Sequence, residues 1–444
     1  MTMKRNVRWA AVEFSATLFI QFFVMKFIIM ELGIAALGVW SVLMSAAQIA
    51  GFFGMGASAG AGRFLSIAHT REDVAEMESV LSTIVYGSIP LYALLSLVLY
   101  FPINYGLTFV LHGDALAQGL SLIGWALLSY VTQIISSSFI SALTSVHLGF
   151  RKSQISIAGI VLQAILSIVL IKEYGLKGLA AAQVLNYVFL TVLSLFFLKK
   201  EVGIRLGHLF RWSGEHFRTV ILFGMKVQAT SIAWSGFEMS IRFIMARFGG
   251  VGAVGLYEIA YRVASQPRIF MFFIGQNIAP VLAGTWVKDK EAFFAFYKQT
   301  YARLASFSLL TVTGIIIASP LIGYIMLGKI DPLFLFFSAL TACGAALHIA
   351  AIPSELAAVA IGVLRYNIRG TSTAVLSMLV CGTVLGFFFQ GVGVASAVLL
   401  SSFLASTTPI YYGHTIFKLP LLPSFRTELD LKNLFRNFLS LKSE

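Results

Sequence analysis

Stretches of about 20 mostly apolar residues, the length needed to span the hydrocarbon of a bilayer, recur along almost the whole chain with only short polar connections between them. The pattern predicts helices over 9–31, 38–62, 79–101, 119–143, 154–171, 176–198, 220–246, 252–286, 304–326, 333–358, 371–391 and 392–416. The fold class is an all-α polytopic membrane protein of about twelve crossings. The eighth stretch is too long for one straight crossing, and Pro267 is placed to kink it.

The chain also resembles itself at a large offset. "KFIIMELG" at 26–33 matches "RFIMARFG" at 242–249, "ALGVW" at 36–40 matches "AVGLY" at 253–257, and "GLAAAQVL" from Gly178 matches "GVASAVLL" from Gly393. Arg151 and Arg365 fall in equivalent loops. The repeating unit is therefore a six-helix half, and because six is even both halves enter the membrane from the same side, with a pseudo-two-fold axis along the membrane normal. This divides the chain into a six-helix bundle over 1–200, a cytoplasmic amphipathic linker over 201–219, a second bundle over 220–416 and a cytoplasmic interfacial tail over 417–444.

Composition sharpens the class. Hydrophobic residues make up 58% of the 444 and charged residues only 11%, far below the quarter or so of a soluble domain. A net charge of +13 invites a nucleic-acid reading, but the distribution answers it. With both termini cytoplasmic, 23 of the 32 Lys and Arg fall on the cytoplasmic side, and only Lys172, Lys177, Arg247 and Lys329 on the other. That is the positive-inside signal, and no nucleic acid is needed to explain it. In the tail, Phe425, Leu429, Leu434, Phe438 and Leu441 recur at helical spacing between basic residues, as in a helix lying on membrane lipid.

Several chemistries lack their residues. Cys343 and Cys381 have no His nearby, so neither a disulfide framework nor a metal site is expected. No phosphate-binding G-x-x-x-x-G-K-[ST] loop, H-E-x-x-H or G-x-S-x-G appears. The longest external loop, near 102–118, offers only His112 and Asp114 as acid–base groups. No catalytic residue, metal or organic cofactor is expected.

What remains is charge where lipid should exclude it. Lys26, Lys226, Arg242, Arg262 and Arg268 lie inside apolar stretches, with Glu13, Glu238, Glu258 and Glu355. Facing lipid, the three arginines alone would cost up to ~10 kcal/mol, so they should face water or one another. Ser231, Ser235, Glu238 and Arg242 share an arc of about 60° on the seventh helix, and Glu258, Tyr261, Arg262 and Ser265 form a similar stripe on the eighth. Glu238 with Arg242, and Glu258 with Arg262, have the i,i+4 spacing at which carboxylate and guanidinium meet. On one reading these pairs merely join helices. On the other, Arg242, Arg262, Arg268 and, less centrally, Lys26 bind an anionic ligand, since guanidinium suits phosphate oxygens. Lys226 reads as an interfacial anchor. Gln163 and Asn186 read as interhelical hydrogen-bond partners, and His348 as structural. Glu13 and Glu355 are the candidates for a coupling cation, H+ or Na+.

The runs "LGIAALGVWSVLMSAAQIAGFFGMGASAGAGRF" and "FIMARFGGVGAVGLYEIAYRVASQ" resemble the paired signatures of bacterial polysaccharide exporters. These are the O-antigen-type flippases of lipid-linked oligosaccharides in the multidrug, oligosaccharidyl-lipid and polysaccharide (MOP) transporter superfamily. The matching positions are Gly33, Gly38, Trp40, Gly54, Gly56 and Arg63, then Gly249, Gly255, Tyr257, Tyr261 and Arg262, with Pro280 ending the eighth span. The resemblance implies two six-helix bundles that alternate between inward and outward states. Its implied cargo is an oligosaccharide on a polyprenyl pyrophosphate of the undecaprenyl type, crossing the bacterial inner membrane. Polysaccharide polymerases or glycosyltransferases would be the partners. Twelve spans rather than fourteen point away from the peptidoglycan-precursor branch. The rivals are a drug antiporter of the same fold, needing a carboxylate for an organic cation, and a membrane glycosyltransferase or polymerase.

Overall fold

A chain this apolar satisfies its backbone within helices, and among the described residues it forms no strand. The computed structural model describes residues 2–52, 57–83, 86–87, 89–205, 207, 214–363 and 365–417; side chains are not described at 2–4, 7, 57–61, 83, 215–216, 221–231, 272–281, 283, 287, 414 and 416–417. The expected interfacial helix of the tail and the middle of the expected linker, 206 and 208–213, lie outside the described residues.

The elements are α1 (Thr2–Ala47), α2 (Ile49–Phe52), α3 (Ala57–Thr70), α4 (Val74–Thr83), α5 (Ile89–Val110), α6 (Gly113–Ser145), α7 (Gly149–Tyr174), α8 (Leu176–Val202), α9 (Gly214–Lys288), α10 (Lys290–Leu327), α11 (Pro332–Ala360) and α12 (Arg365–Phe417). Nine stretches among the described residues are long and apolar enough to cross a membrane. Three of them, 45, 40 and 49 residues long, have the length of two crossings. Each contains one residue with non-helical dihedrals: Gly33, Gly250 and Gln390. Gly33 and Gly250 lie in gaps that the apolar pattern predicts, and Gln390 lies just inside the predicted boundary between 391 and 392. Pro267 carries no such dihedral break; that of α9 is at Gly250. The loop expected over 102–118 is mostly helix, because α5 runs to Val110 and α6 starts at Gly113. At 1.5 Å per residue the 33 residues of α6 reach roughly 50 Å, beyond the hydrocarbon core, so helix replaces loop outside it.

The sequence repeat is written into backbone conformation. Gly33 has φ 82°, ψ 166° and Gly250 φ 76°, ψ 168°. Gly175, between α7 and α8, has φ 59°, ψ −135°, and Gln390 has φ 53°, ψ −138°. The turn after α6 has His147 at φ 62° with Leu148 N–H donating to Leu143 O at 2.9 Å; the turn after α11 has Gly362 at φ 78° with Val363 N–H donating to Ala358 O at 2.8 Å. Both are Schellman-type helix ends. A Cβ on Gly178 would overlap Leu170 O, and one on Gly393 would overlap Leu385 O. The tight approach after each turn thus recurs with the turn itself.

The chain divides into two compact units, Met1–Gly255 and Leu256–Glu444. The division follows the turn at Gly250 instead of the 201–219 segment. Its cause is packing of the end of the seventh crossing on α1: a Cβ on Gly38 would overlap Val251 O, and reciprocally one on Gly255 would overlap Ile34 O. In the first unit the core gathers Leu65, Leu81, Phe139, Leu143, Ile155 and Leu198. Polar contacts fasten one end of α1 to α7: Asn6 Oδ1 accepts from Phe150 N–H at 2.9 Å, and Lys152 Nζ donates to Glu13 Oε1 at 2.6 Å. Arg151 bonds Glu201, adding the end of α8. In the second unit Phe293, Tyr297, Tyr301, Ile349, Ile352 and Leu356 form the core, and Asp331 caps α11 by accepting from Leu333 and Phe334 N–H.

Candidate functional site

Burying a guanidinium requires that its donors be met nearby. In the first unit, Arg242 is buried. Its Nε donates to Ser41 Oγ at 3.0 Å, and Nη1 lies 3.4 Å from Glu238 Oε2 and 3.3 Å from Glu238 O. Glu238 Oε1 in turn accepts from Trp234 Nε1 at 2.8 Å. The helix periodicity puts Trp234, Glu238 and Arg242 on one face, and Ser41 closes the chain of hydrogen bonds from α1. Ser235 is half-buried on the same helix, and the side chain of Ser231 lies outside the described residues, as does that of Lys226. Lys26, half-buried on α1, takes no hydrogen-bond or ion-pair partner among the described residues.

The second unit holds the other predicted pair. Arg262 Nε donates to Glu258 Oε1 at 3.0 Å; the carboxylate side chain is 6% exposed and the guanidinium side chain 43%. Only Nε is engaged, so among the described residues the outer edge of the fork, Nη1 and Nη2, is left unbonded. Tyr261 stacks on Tyr257 with ring centres 5.8 Å apart. Further along α9, Arg268 acts electrostatically on both His348 and Glu355 of α11. Ser406 Oγ lies 3.3 Å from His348 Nδ1, and the backbone oxygen of Glu355 accepts from Asn367 Nδ2 at 3.1 Å. Beside Glu355, the Ser354 hydroxyl shares a 2.7 Å hydrogen bond with that of Tyr297.

The structure therefore forms both i,i+4 pairs, each within its own unit, and in the second unit associates Arg268 with Glu355. It sets Glu13 apart, in its ion pair with Lys152. Gln163 and Asn186 join α7 to α8 through a 3.2 Å hydrogen bond. Trp234 and Ser41 were missed. Trp234 stands four residues before Glu238, a spacing that could have identified it; Ser41, 201 residues from Arg242, gives no local signal. No cluster of three or more His, Cys, Asp or Glu able to hold a metal occurs among the described residues.

The model of a family described as polysaccharide biosynthesis protein matches residues 4–286. No curated protein matches the sequence. Among solved structures, an inward-facing multidrug resistance MATE family transporter of the MOP superfamily is similar, with TM-score 0.71, 14% identity and coverage of 89% of this chain and 98% of that one. The lipid II flippase MurJ in an inward closed conformation gives TM-score 0.63 and 14% identity, covering 96% of this chain and 94% of that one. A MOP superfamily transporter from Pyrococcus furiosus gives 0.56 and 17%, covering 94% and 96%. At these identities the likeness shows a shared MATE-like fold.

Proposed function

Since the chain belongs to the polysaccharide biosynthesis protein family and has the fold of multi-pass MOP superfamily transporters, we propose that it flips a polyprenyl-pyrophosphate-linked oligosaccharide across the bacterial inner membrane. Twelve crossings, with each of the three broken helices crossing twice, put both termini on one side of the membrane, and the positive-inside charge distribution makes that side the cytoplasm. The lipid tail stays in the bilayer while head group and sugars cross by alternating access. Outside the cytoplasm, the glycan would pass to a polymerase or glycosyltransferase for surface polysaccharide, such as O-antigen, capsule or exopolysaccharide.

The observation that carries this reading is Arg262. Its carboxylate partner is buried and engages only Nε, which fixes the guanidinium plane while leaving a two-donor edge for phosphate oxygens. Arg268, in the same unit, adds positive potential in an apolar helix, where charge is felt more strongly than in water. Such an arrangement attracts a pyrophosphate and disfavours an organic cation. A drug antiporter would use Glu238 or Glu258 for its organic cation, and both already hold arginines. Of the coupling candidates, Glu355 is the better placed for H+ or Na+, with Arg268 and His348 nearby to respond to its charge.

The test is surface-glycan display in cells lacking their own flippase. Arg262→Gln should lower display by tenfold or more, and Arg262→Lys, which keeps charge but loses the fork, should restore only part. Normal display by stably expressed Arg242→Gln/Arg262→Gln/Arg268→Gln would refute the reading.

A further inference from the structure

The second unit carries a feature that flipping does not use. The two arms of α12, 365–389 and 391–417, bound an open groove of about 650 Å³, lined by Ile368, Arg369, Leu376, Leu404, Tyr411 and Tyr412. Along the first arm, Arg365, Arg369, Ser372 and Leu376 recur at i, i+4, i+7 and i+11, the spacing of a single helix face. The stripe runs from two cations through a hydroxyl to an apolar side chain. From Arg369 to Leu376 it climbs about 10 Å along the axis, roughly the step from a lipid phosphate past its ester to the start of the acyl chain.

The cationic end is built. Arg365 Nη2 donates to Tyr366 Oη at 2.7 Å, and Arg369 Nη1 to Tyr412 Oη at 3.2 Å. The rings of Tyr366 and Tyr412 stack 4.2 Å apart, so one aromatic pair positions both guanidiniums. Among the described residues neither arginine has a carboxylate partner, and both are exposed. Their remaining N–H donors therefore face outward. Leu376 and Tyr411 are exposed on the groove's apolar part, as they would be toward lipid. Tyrosine and arginine at one level, with leucine beyond, is the order of a membrane interface seen from the cytoplasm.

We propose that this groove binds one anionic phospholipid of the cytoplasmic leaflet, its phosphate on Arg365 and Arg369 and its first acyl chain along Leu376 and Leu404. The occupant is a bulk lipid, not the transported glycolipid, because the groove opens on the exposed side of the helix pair and bulk anionic lipid is the abundant phosphate there. Its negative charge complements two arginines that no acidic side chain neutralises.

Native mass spectrometry of the full chain released from mixed phosphatidylglycerol and phosphatidylcholine micelles tests this. Wild type should retain phosphatidylglycerol preferentially. Arg365→Gln/Arg369→Gln should lower that preference on the order of thirtyfold, the weight of two interfacial arginines. Arg8→Gln, an exposed arginine elsewhere at a cytoplasmic end, should leave it unchanged. Leu376→Trp, which fills the groove from an exposed position without altering charge, should lower retention too, keeping the test valid if the arginine variant misfolds. Equal retention of both lipids by wild type, an unchanged preference in Arg365→Gln/Arg369→Gln or Leu376→Trp, or displacement of phosphatidylglycerol by equimolar polyprenyl diphosphate would overturn it.

Discussion

Removing one member of the Glu238–Arg242 pair should separate its structural contribution from its role in transport. The arginine side chain is 10% exposed and the glutamate 21%. Glu238→Gln removes the carboxylate from beside the more deeply buried group, leaving the guanidinium among neutral acceptors such as the Ser41 hydroxyl and the backbone oxygen of residue 238. Breaking such a pair from one side costs about 3–5 kcal/mol. Arg242→Gln should be gentler, about 1.5–3 kcal/mol, because the less buried carboxylate keeps the indole N–H of Trp234 at 2.8 Å. The double variant should fall short of the sum by about 1–3 kcal/mol, the coupling expected of residues in contact. Thermal unfolding of the purified variants in detergent measures the cycle, and glycan display in cells reads function beside it. If the pair is structural only, display should recover with stability in the double variant; if Arg242 also serves the cargo, display stays low. Equal losses from the two single variants, or simple additivity, would refute the burial argument.

Three further outcomes are expected. Gly178→Ala and Gly393→Ala each place a methyl group against a backbone carbonyl and should destabilise by similar amounts, about 1–3 kcal/mol each, read as a lower thermal unfolding midpoint. Gln390 has dihedrals that glycine adopts far more easily (φ 53°, ψ −138°), so Gln390→Gly should stabilise by about 1 kcal/mol, whereas Gly175→Gln should destabilise; the same melting assay checks both. Glu13→Gln, which loses a partly exposed ion pair with Lys152, should cost under about 1 kcal/mol and leave the ion dependence of transport intact, while Glu355→Gln should abolish it in proteoliposome flux measurements with imposed H+ or Na+ gradients.

Much of the fold was legible because lipid imposes one length and one kind of secondary structure. Gly33, Gly250 and Gln390 all interrupt helices where the apolar runs end, and both i,i+4 ion pairs form as their spacing demands. The extent of helix beyond the hydrocarbon was not legible: α5 and α6 continue where a loop was expected, since hydropathy marks the bilayer and not the helix end. Long-range partners were hidden as well. Nothing near Arg242 announces Ser41, and nothing near Glu13 announces Lys152; both meetings depend on which helix packs against α1, which periodicity does not encode. The boundary between compact units was hidden for the same reason, being set by the glycine-mediated approach of Gly38 and Gly255.

Gln390 occupying the dihedral basin of Gly175 has a wider implication for ancestry. If an ancestral six-helix gene doubled, its descendants have kept the corners of the chain path while the side chains at those corners drifted, one copy accepting strain that its twin avoids. Corner angles would then outlive residue identity as a record of descent, and matching them between distant transporters should reveal shared origin where aligned letters no longer can.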